Sequence, residues 1–367
     1  MTQLTQSEIL GWLKEDRPDA LGELYAHADA VRRDSVGDAV HLRGLIEISS
    51  HCRRQCMYCG LRQGNAKLER YRLTRDEILQ CAALGVKLGY GTVVMQAGED
   101  EALTAVWIAD IVRTIKRTTP LAVTLSLGER SYHELAVWRE AGADRYLLRF
   151  ETSDPHLYRT IHPAQESGSP DRLMLLKQIK ALGYEAGGGV MVGIPGQSYE
   201  SLVQDLLTFQ ALDLDMIGIG PYIPHPETPL GSGALRPFIA PKDQAPASEQ
   251  MVCKMVALAR ILCPTANLPS TTALATINKA NGRKHGLTAG ANVVMPNLTP
   301  VEYRALYQIY PAKACIDESA TDCSRCLDGQ IRSLGRFPGK GTGGRGQLES
   351  ETEYIPEQKA SFVQLQV

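Results

Sequence analysis

The chain has 367 residues, 44% of them hydrophobic and 22% charged, with a formal charge of −2. That length allows a sizeable core in one large domain or two, and the mixed charge argues against a nucleic-acid or anionic-membrane surface. Met1-Thr2-Gln3-Leu4 lacks the pattern of a signal peptide, and no run of about 18 apolar residues suggests a membrane span.

Residues 1–40 read as a helical extension, with segments from Ser7 to Lys14 and from Ala20 to Asp34. Apolar strands and amphipathic helices then alternate. Strands are expected at 43–49, 91–97, 121–127, 144–150, 186–194, 216–222, 269–274 and 290–296. Helices are expected at 74–88, 101–117, 131–141, 154–161, 171–182, 198–212, 247–262 and 275–285. Thr74 with Glu77 forms a capping-box pattern, Ser198 precedes Glu200, and Gly85, Gly142 and Gly183 sit near helix ends. Eight such repeats predict an α/β fold, a closed (β/α)8 TIM barrel over 41–297, with an open doubly wound sheet as the alternative. Residues 298–334 would form a C-terminal cap, and 335–367 a flexible tail. The glycine run from Gly335 does not have phosphate-loop spacing.

Directly after the first strand comes His51-Cys52-Arg53-Arg54-Gln55-Cys56-Met57-Tyr58-Cys59-Gly60. Three thiolates in one loop suit a cubane iron–sulfur cluster, which normally takes four Cys ligands, so one iron stays open. Structural zinc usually closes with four ligands from paired spacings, and a redox pair needs only two cysteines. The second group, Cys315, Cys323 and Cys326, supports an auxiliary cluster; the alternatives are zinc with a fourth ligand and a Cys323–Cys326 redox pair. Cys81, Cys253 and Cys263 lie in helix-like segments and read as buried small hydrophobes. Nine cysteines arranged this way suit a reducing cytoplasm.

In such barrels chemistry sits at the C-terminal strand ends. Strand two ends in Gln96-Ala97-Gly98-Glu99-Asp100, where the acid is either a ligand group or a helix cap. Strand three ends in Ser126-Leu127-Gly128-Glu129. Strand four ends in Arg149-Phe150-Glu151-Thr152, whose Arg149 and Glu151 would share one strand face. With Arg172 they form a charged set that reads either as a ligand seat or as a structural ion-pair network. Thr271 and Thr272 offer hydroxyls for a polar substrate, and Tyr303 is expected to reach the site from the cap. His225, between two prolines, reads as structural.

The Cys52 run resembles the signature of the radical S-adenosylmethionine (SAM) superfamily. That resemblance implies a [4Fe-4S] cluster on Cys52, Cys56 and Cys59, with SAM on its open iron cleaved to a 5′-deoxyadenosyl radical. It also implies that Gly98 and Glu99 receive the SAM amino group. Over about residues 40–340 the chain is similar to the [FeFe]-hydrogenase maturase HydE family. The segments that carry this are the Cys52 run with Gly60-Leu61-Arg62, 96–100, 125–129, 144–152, 218–221, 271–273 and the 315/323/326 cysteines. The family implies that Ser126, Glu151 and Arg172 contact SAM or the reacting ligand, with Arg149 beside them. It implies an organometallic small-molecule substrate, an iron–carbonyl–cyanide–cysteine complex made by the partner HydG. The product would pass toward the scaffold HydF, and a low-potential electron donor would be needed. The second cluster, [2Fe-2S] or [4Fe-4S], varies in the family. Phe150 and Ala97 depart from the family's His and Ser. Biotin synthase is disfavoured because strands two to six carry no cysteine. Methylornithine synthase, which typically lacks the second cysteine group, and a non-catalytic iron–sulfur scaffold remain as alternatives.

Overall fold

The structure, a computed structural model, describes residues 4–164, 171–236 and 239–350. Helices α1 (Gln6–Lys14) and α2 (Pro18–Val36) lead into β1 (Ala39–Ser49). There follow α3 (Arg75–Lys87), β2 (Thr92–Ala97), α4 (Ala105–Thr118), β3 (Ala122–Ser126), α5 (Tyr132–Glu140) and β4 (Arg145–Leu147). Next come α6 (Pro155–Ile161), α7 (Arg172–Ala181), β5 (Glu185–Val192), α8 (Tyr199–Ala211) and β6 (Met216–Pro221). The remaining elements are α9 (Glu249–Leu262), α10 (Thr272–Ile277), α11 (Gly282–Thr288), β7 (Val293–Val294), α12 (Val301–Arg304), α13 (Ala320–Arg332) and β8 (Phe337–Gly339). No helix among the described residues is long and apolar enough to cross a membrane.

Local chemistry sets many of the helix starts. Thr74 accepts from the Glu77 amide while the Glu77 carboxylate accepts from the Thr74 amide, and Ser131 with Glu134 repeats the device. Gly142 and Gly183 follow helix ends with φ of +105° and +84°, as the sequence suggests. Gly85 does not stop a helix: it lies inside α3, and Gly89, at φ +74°, follows the helix instead.

The strands pair in parallel in the order β6-β5-β4-β3-β2-β1-β7, which is the sheet of the expected barrel. The curl closes through a short extended run: Met216 of β6 pairs with Asn267, and Pro269 pairs with Val293 of β7. The expected strand at 269–274 is therefore corrected. It is shorter and earlier, because the Thr271 hydroxyl accepts from the Leu274 amide and starts α10. The expected helix at 275–285 is likewise two helices, α10 and α11.

Alternation along each strand sorts the residues. On β1, Ile46 and Ile48 enter the apolar layer under the helices, while Leu45 and Glu47 face a barrel cavity. Glu47, Gln96 and Ser126 sit in register on neighbouring strands and form one inward polar row. Outside the barrel, Trp138 and Tyr146 stack at 6.3 Å, and Cys81, Cys253 and Cys263 are buried in the core as expected.

Residues 335–350, expected as part of a flexible tail, instead pack against the bottom of the barrel. β8 pairs with the start of β1. The Gly343 carbonyl accepts from Arg43 and Asn267, and the Thr342 carbonyl from Arg145 and Thr92. Arg345 pairs with Asp213 and Asp215. The reason is inward-facing cations: Arg43 and Arg145 are buried, and the carbonyls of this segment add to the acceptors that Met216, Thr92 and Glu185 offer from the strands. Positions 351–367 of the expected tail lie outside the described residues.

Each buried donor left unpaired costs about 1–3 kcal/mol. A chain ended after Gly335 should therefore melt at least ~5 °C lower than the full chain by calorimetry.

Candidate active site

The cysteine loop follows β1 and is held from several sides. The Arg53 amide donates to the Glu99 carbonyl, Met57 to Ile161 and Gly60 to Ile309. The Arg70 guanidinium gathers the carbonyls of Ser50, Leu61 and Arg62. Cys52, Cys56 and Cys59 are all free and line one cavity. Burial pushes all three thiols above their ordinary range, Cys56 to about 12.

The same cavity is walled by Gly98, Glu99, Ser126, Arg149, Glu151 and Arg172. Gly98 has a steric reason to be glycine: a Cβ there would lie 2.3 Å from the His51 carbonyl oxygen and 2.6 Å from Cys52 Cβ. Gly128, at φ +78°, lets the end of β3 pass Glu99, whose Cγ would be 2.1 Å from an added Cβ. Glu99 is 5% exposed and accepts from the Glu129 amide at 3.1 Å. Burial and the neighbouring Glu129 raise its pKa.

Arg149 and Glu151 do meet, but not through strand alternation. β4 stops at Leu147, and Glu151 adopts a left-handed φ of +64°. This turn brings its Oε2 to 3.2 Å from Arg149 Nη2. Glu151 Oε2 and Arg149 Nε are buried without a hydrogen-bond partner. Arg172 donates to Glu129 Oε1 at 2.8 Å and to the Arg149 carbonyl at 2.6 Å.

A second cavity of about 170 Å³ lies within the barrel and shares Gln96, Ser126, Leu147, Arg149, Ile309 and Tyr310 with the first. Thr271 and Thr272 are on its wall. Its charged residues are Arg149, Arg283 and Lys313 against Glu47. Lys313 Nζ donates to Glu47 Oε1 at 2.7 Å, and Arg283 Nη1 is buried without a hydrogen-bond partner.

A third cavity carries Cys315, Cys323 and Cys326 and shares Arg283, Lys313, Ala314 and Cys315 with the barrel cavity. Arg283 Nη2 lies 3.4 Å from Cys315 Sγ. Among the described residues no three His, Cys, Asp or Glu side chains converge as a single-ion site. Both thiol groups instead border open space.

Tyr303 is a correction: its hydroxyl donates to Glu77 Oε1 at 2.9 Å and its ring stacks on Tyr71 at 4.8 Å, outside these cavities. Tyr307 and Tyr310 reach the upper cavity instead. Phe150 packs against Phe209 at 5.8 Å rather than lining either of the first two cavities, whereas Ala97 borders the thiol cavity. His225 Nδ1 accepts the Glu227 amide, a structural turn contact. The sequence reading passed over Arg54, Glu129 and His162, which are buried beside the thiol loop. Arg54 and Glu129 stood inside quoted motifs; for His162 there was no local signal.

A parallel barrel with three free thiols and a cluster of carboxylates and guanidinium groups at its mouth fits an open-iron cluster and a zwitterionic cofactor, and defines a radical SAM enzyme. The model of the Radical SAM superfamily matches residues 46–208. The [FeFe] hydrogenase maturase subunit HydE of Thermotoga maritima is 49% identical over 324 residues, 88% of each chain. The chain therefore belongs to the HydE family. The 3-methylornithine synthase of Methanosarcina acetivorans is 28% identical over 80% of this chain and 79% of its own. Among solved structures, methylornithine synthase (PylB) aligns with TM-score 0.75 at 25% identity over 92% and 95% of the two chains. The maturase HydG aligns with TM-score 0.75 at 19% identity, over 93% of this chain and 74% of its own, a likeness of fold.

Gly98→Ala should leave the chain folded but displace the thiol loop. After anaerobic reconstitution, iron bound per chain should fall by at least half, with the melting temperature near that of the parent.

Proposed function

We propose that this chain is a HydE-type maturase acting in assembly of the [FeFe]-hydrogenase H-cluster. The 49% identity to the Thermotoga maritima maturase over 88% of both chains carries the reading. Cys52, Cys56 and Cys59 would hold a [4Fe-4S] cluster with one iron left for SAM, and that cluster would supply the electron for reductive SAM cleavage. Arg172 and Arg149 serve the SAM carboxylate, Glu99 and Glu151 its positive charges, and Gly98 and Gly128 leave room for the backbone approach. Ser126, on the wall of both cavities, orients what lies between them.

The substrate is an anionic iron–carbonyl–cyanide–cysteine complex held in the barrel cavity. Lys313 is balanced by Glu47 and Arg149 by Glu151, which leaves the Arg283 guanidinium on the wall to favour an anion there. Thr272 adds a hydroxyl; Thr271 contributes mainly through the α10 cap. The thioethers of Met216 and Met295 help exclude water. HydG supplies this complex, HydF receives the product, and a low-potential donor reduces the cluster. Cys315, Cys323 and Cys326 hold an auxiliary iron–sulfur cluster, [2Fe-2S] or [4Fe-4S], in the cytoplasm. The rival is a mutase of the methylornithine synthase kind, supported by 25% identity to the solved synthase over 92% of this chain.

Cys52→Ala, Cys56→Ala and Cys59→Ala should each abolish 5′-deoxyadenosine formation by the reconstituted, reduced protein, measured by chromatography; normal turnover in any one refutes the reading. Cys315→Ala should retain at least a third of that activity. Co-expression with the other maturases and a hydrogenase should yield H₂ evolution. Intact SAM cleavage without H₂ would favour the mutase. Arg283→Gln should lower H₂ evolution at least tenfold while SAM cleavage falls less than threefold.

A further inference from the structure

Beneath the thiol loop, two arginines share one histidine. Arg54 Nη2 lies 2.6 Å from His162 Nδ1, and Arg172 Nη2 lies 2.6 Å from His162 Nε2. All three side chains are buried, with His162 only 2% exposed. Arg54 is on the loop between Cys52 and Cys56 and reaches Glu129 Oε2 at 3.3 Å; Arg172 reaches Glu129 Oε1 at 2.8 Å. His162 thus stands opposite Glu129 and bridges the same two guanidinium groups.

The hydrogen-bond count does not balance. A guanidinium only donates, and a neutral imidazole has one donor and one acceptor nitrogen. Protonation would leave no acceptor at all. Burial and the two flanking guanidinium groups lower the His162 pKa to about 2, so the ring is neutral. One of the two 2.6 Å contacts therefore sets donor against donor. The Tyr158 hydroxyl lies 3.3 Å from Nδ1 with its ring stacked on the imidazole at 5.1 Å, and a hydroxyl serves that nitrogen as donor or as acceptor. In either tautomer the ring accepts from only one of the two guanidinium groups. The next acceptor near Arg172 Nη2 is Glu99 Oε1 at 3.7 Å, beyond hydrogen-bond reach.

We infer that His162 is a positioning residue of the cofactor site: its ring spans Arg54 on the thiol loop and Arg172 on the cavity wall, and so fixes where Arg172 Nη2 meets the carboxylate of an entering SAM. A neutral ring accepts from one of the two arginines only, so it places both by contact and binds one by a hydrogen bond. Arg172 lines the thiol cavity, where its guanidinium faces the ligand. The inference rests on the SAM-cleaving reading above.

The test is SAM binding to reconstituted protein by equilibrium dialysis, with the electron paramagnetic resonance spectrum of the reduced cluster recorded with and without SAM. His162→Leu removes both ring nitrogens. It should weaken SAM binding at least tenfold and reduce the SAM-induced spectral change at subsaturating SAM, while kcat for cleavage at saturating SAM changes less than threefold. His162→Gln, which can accept and donate at similar reach, should restore binding to within threefold of the parent. His162→Asn, shorter by one carbon, should not. If the Leu variant loses iron, the Gln and Asn pair is read instead. Equal SAM affinity in parent and Leu variant, or in the Gln and Asn variants, overturns the inference. Failure of the parent itself to bind or cleave SAM overturns the underlying reading instead.

Discussion

The catalytic end depends on a carboxylate buried between two guanidinium groups. Glu129, 4% exposed, holds Arg54 of the thiol loop with one oxygen and Arg172 at the start of α7 with the other. Its amide donates to Glu99 at the end of β2. Through its carboxylate and its amide, this one residue at the end of β3 joins the ends of β1 and β2 to α7. Desolvating these charges is costly, and removing one partner of such a pair typically costs about 3–5 kcal/mol because the other stays buried alone. The charges of the site are consequently interdependent. Gly128 makes this packing possible, since any side chain there would strike Glu99.

The barrel interior follows from the same accounting of polar groups. Period-two alternation turns Glu47, Gln96 and Ser126 inward at the upper end, where Arg149 joins them just past β4, and Arg43 and Arg145 inward at the lower end. At the lower end carbonyls of the C-terminal segment accept from both arginines and Glu185 pairs with Arg145, while Arg43 Nε stays without a hydrogen-bond partner. At the upper end Lys313 and Asn297 satisfy Glu47, but Arg283 Nη1 and Arg149 Nε remain without hydrogen-bond partners. Gly218, on the cavity wall, presents no side chain to fill that space. A barrel built only for stability would pack this layer with branched apolar residues. Here the layer stays open and cationic, which is why the reading places an anion in it.

Much of this was legible in the chain because it is local. Cysteine spacing, the Thr74–Glu77 box and strand alternation each need only a few neighbouring residues. The cofactor-side residues Gly98, Glu99, Ser126, Arg149, Glu151 and Arg172 all line one cavity, since strand ends in a parallel barrel converge by topology. Long-range facts were not legible. Tyr303, Tyr307 and Tyr310 look equivalent in sequence, but α12 ends at Arg304 and the chain turns, sending the first outward and the other two to the cavity. The tail looks flexible from its glycines, yet Gly341 and Gly343 lie tight against Glu349 and His41. His162 follows the short helix α6 in a stretch without a motif; only the fold brings it between two distant arginines.

The segment 309–315 joins the three cavities mechanically. Ile309 and Tyr310 face the thiol and barrel cavities, Lys313 pairs with Glu47 inside the barrel, and Cys315 faces the outer cavity. Two residues hold left-handed φ without being glycine, Ala312 at +54° and Cys315 at +60°, so the path is set by its anchors rather than by local preference. Those anchors are the Lys313–Glu47 pair, the Ala314 amide on Thr276 Oγ1, and Arg304 gripping the Glu318 carbonyl. Cys315 stands two residues from the cation that balances Glu47. The second cysteine group thus adjoins the barrel cavity through Cys315, which lines both, even though it lies outside the eight-fold repeat.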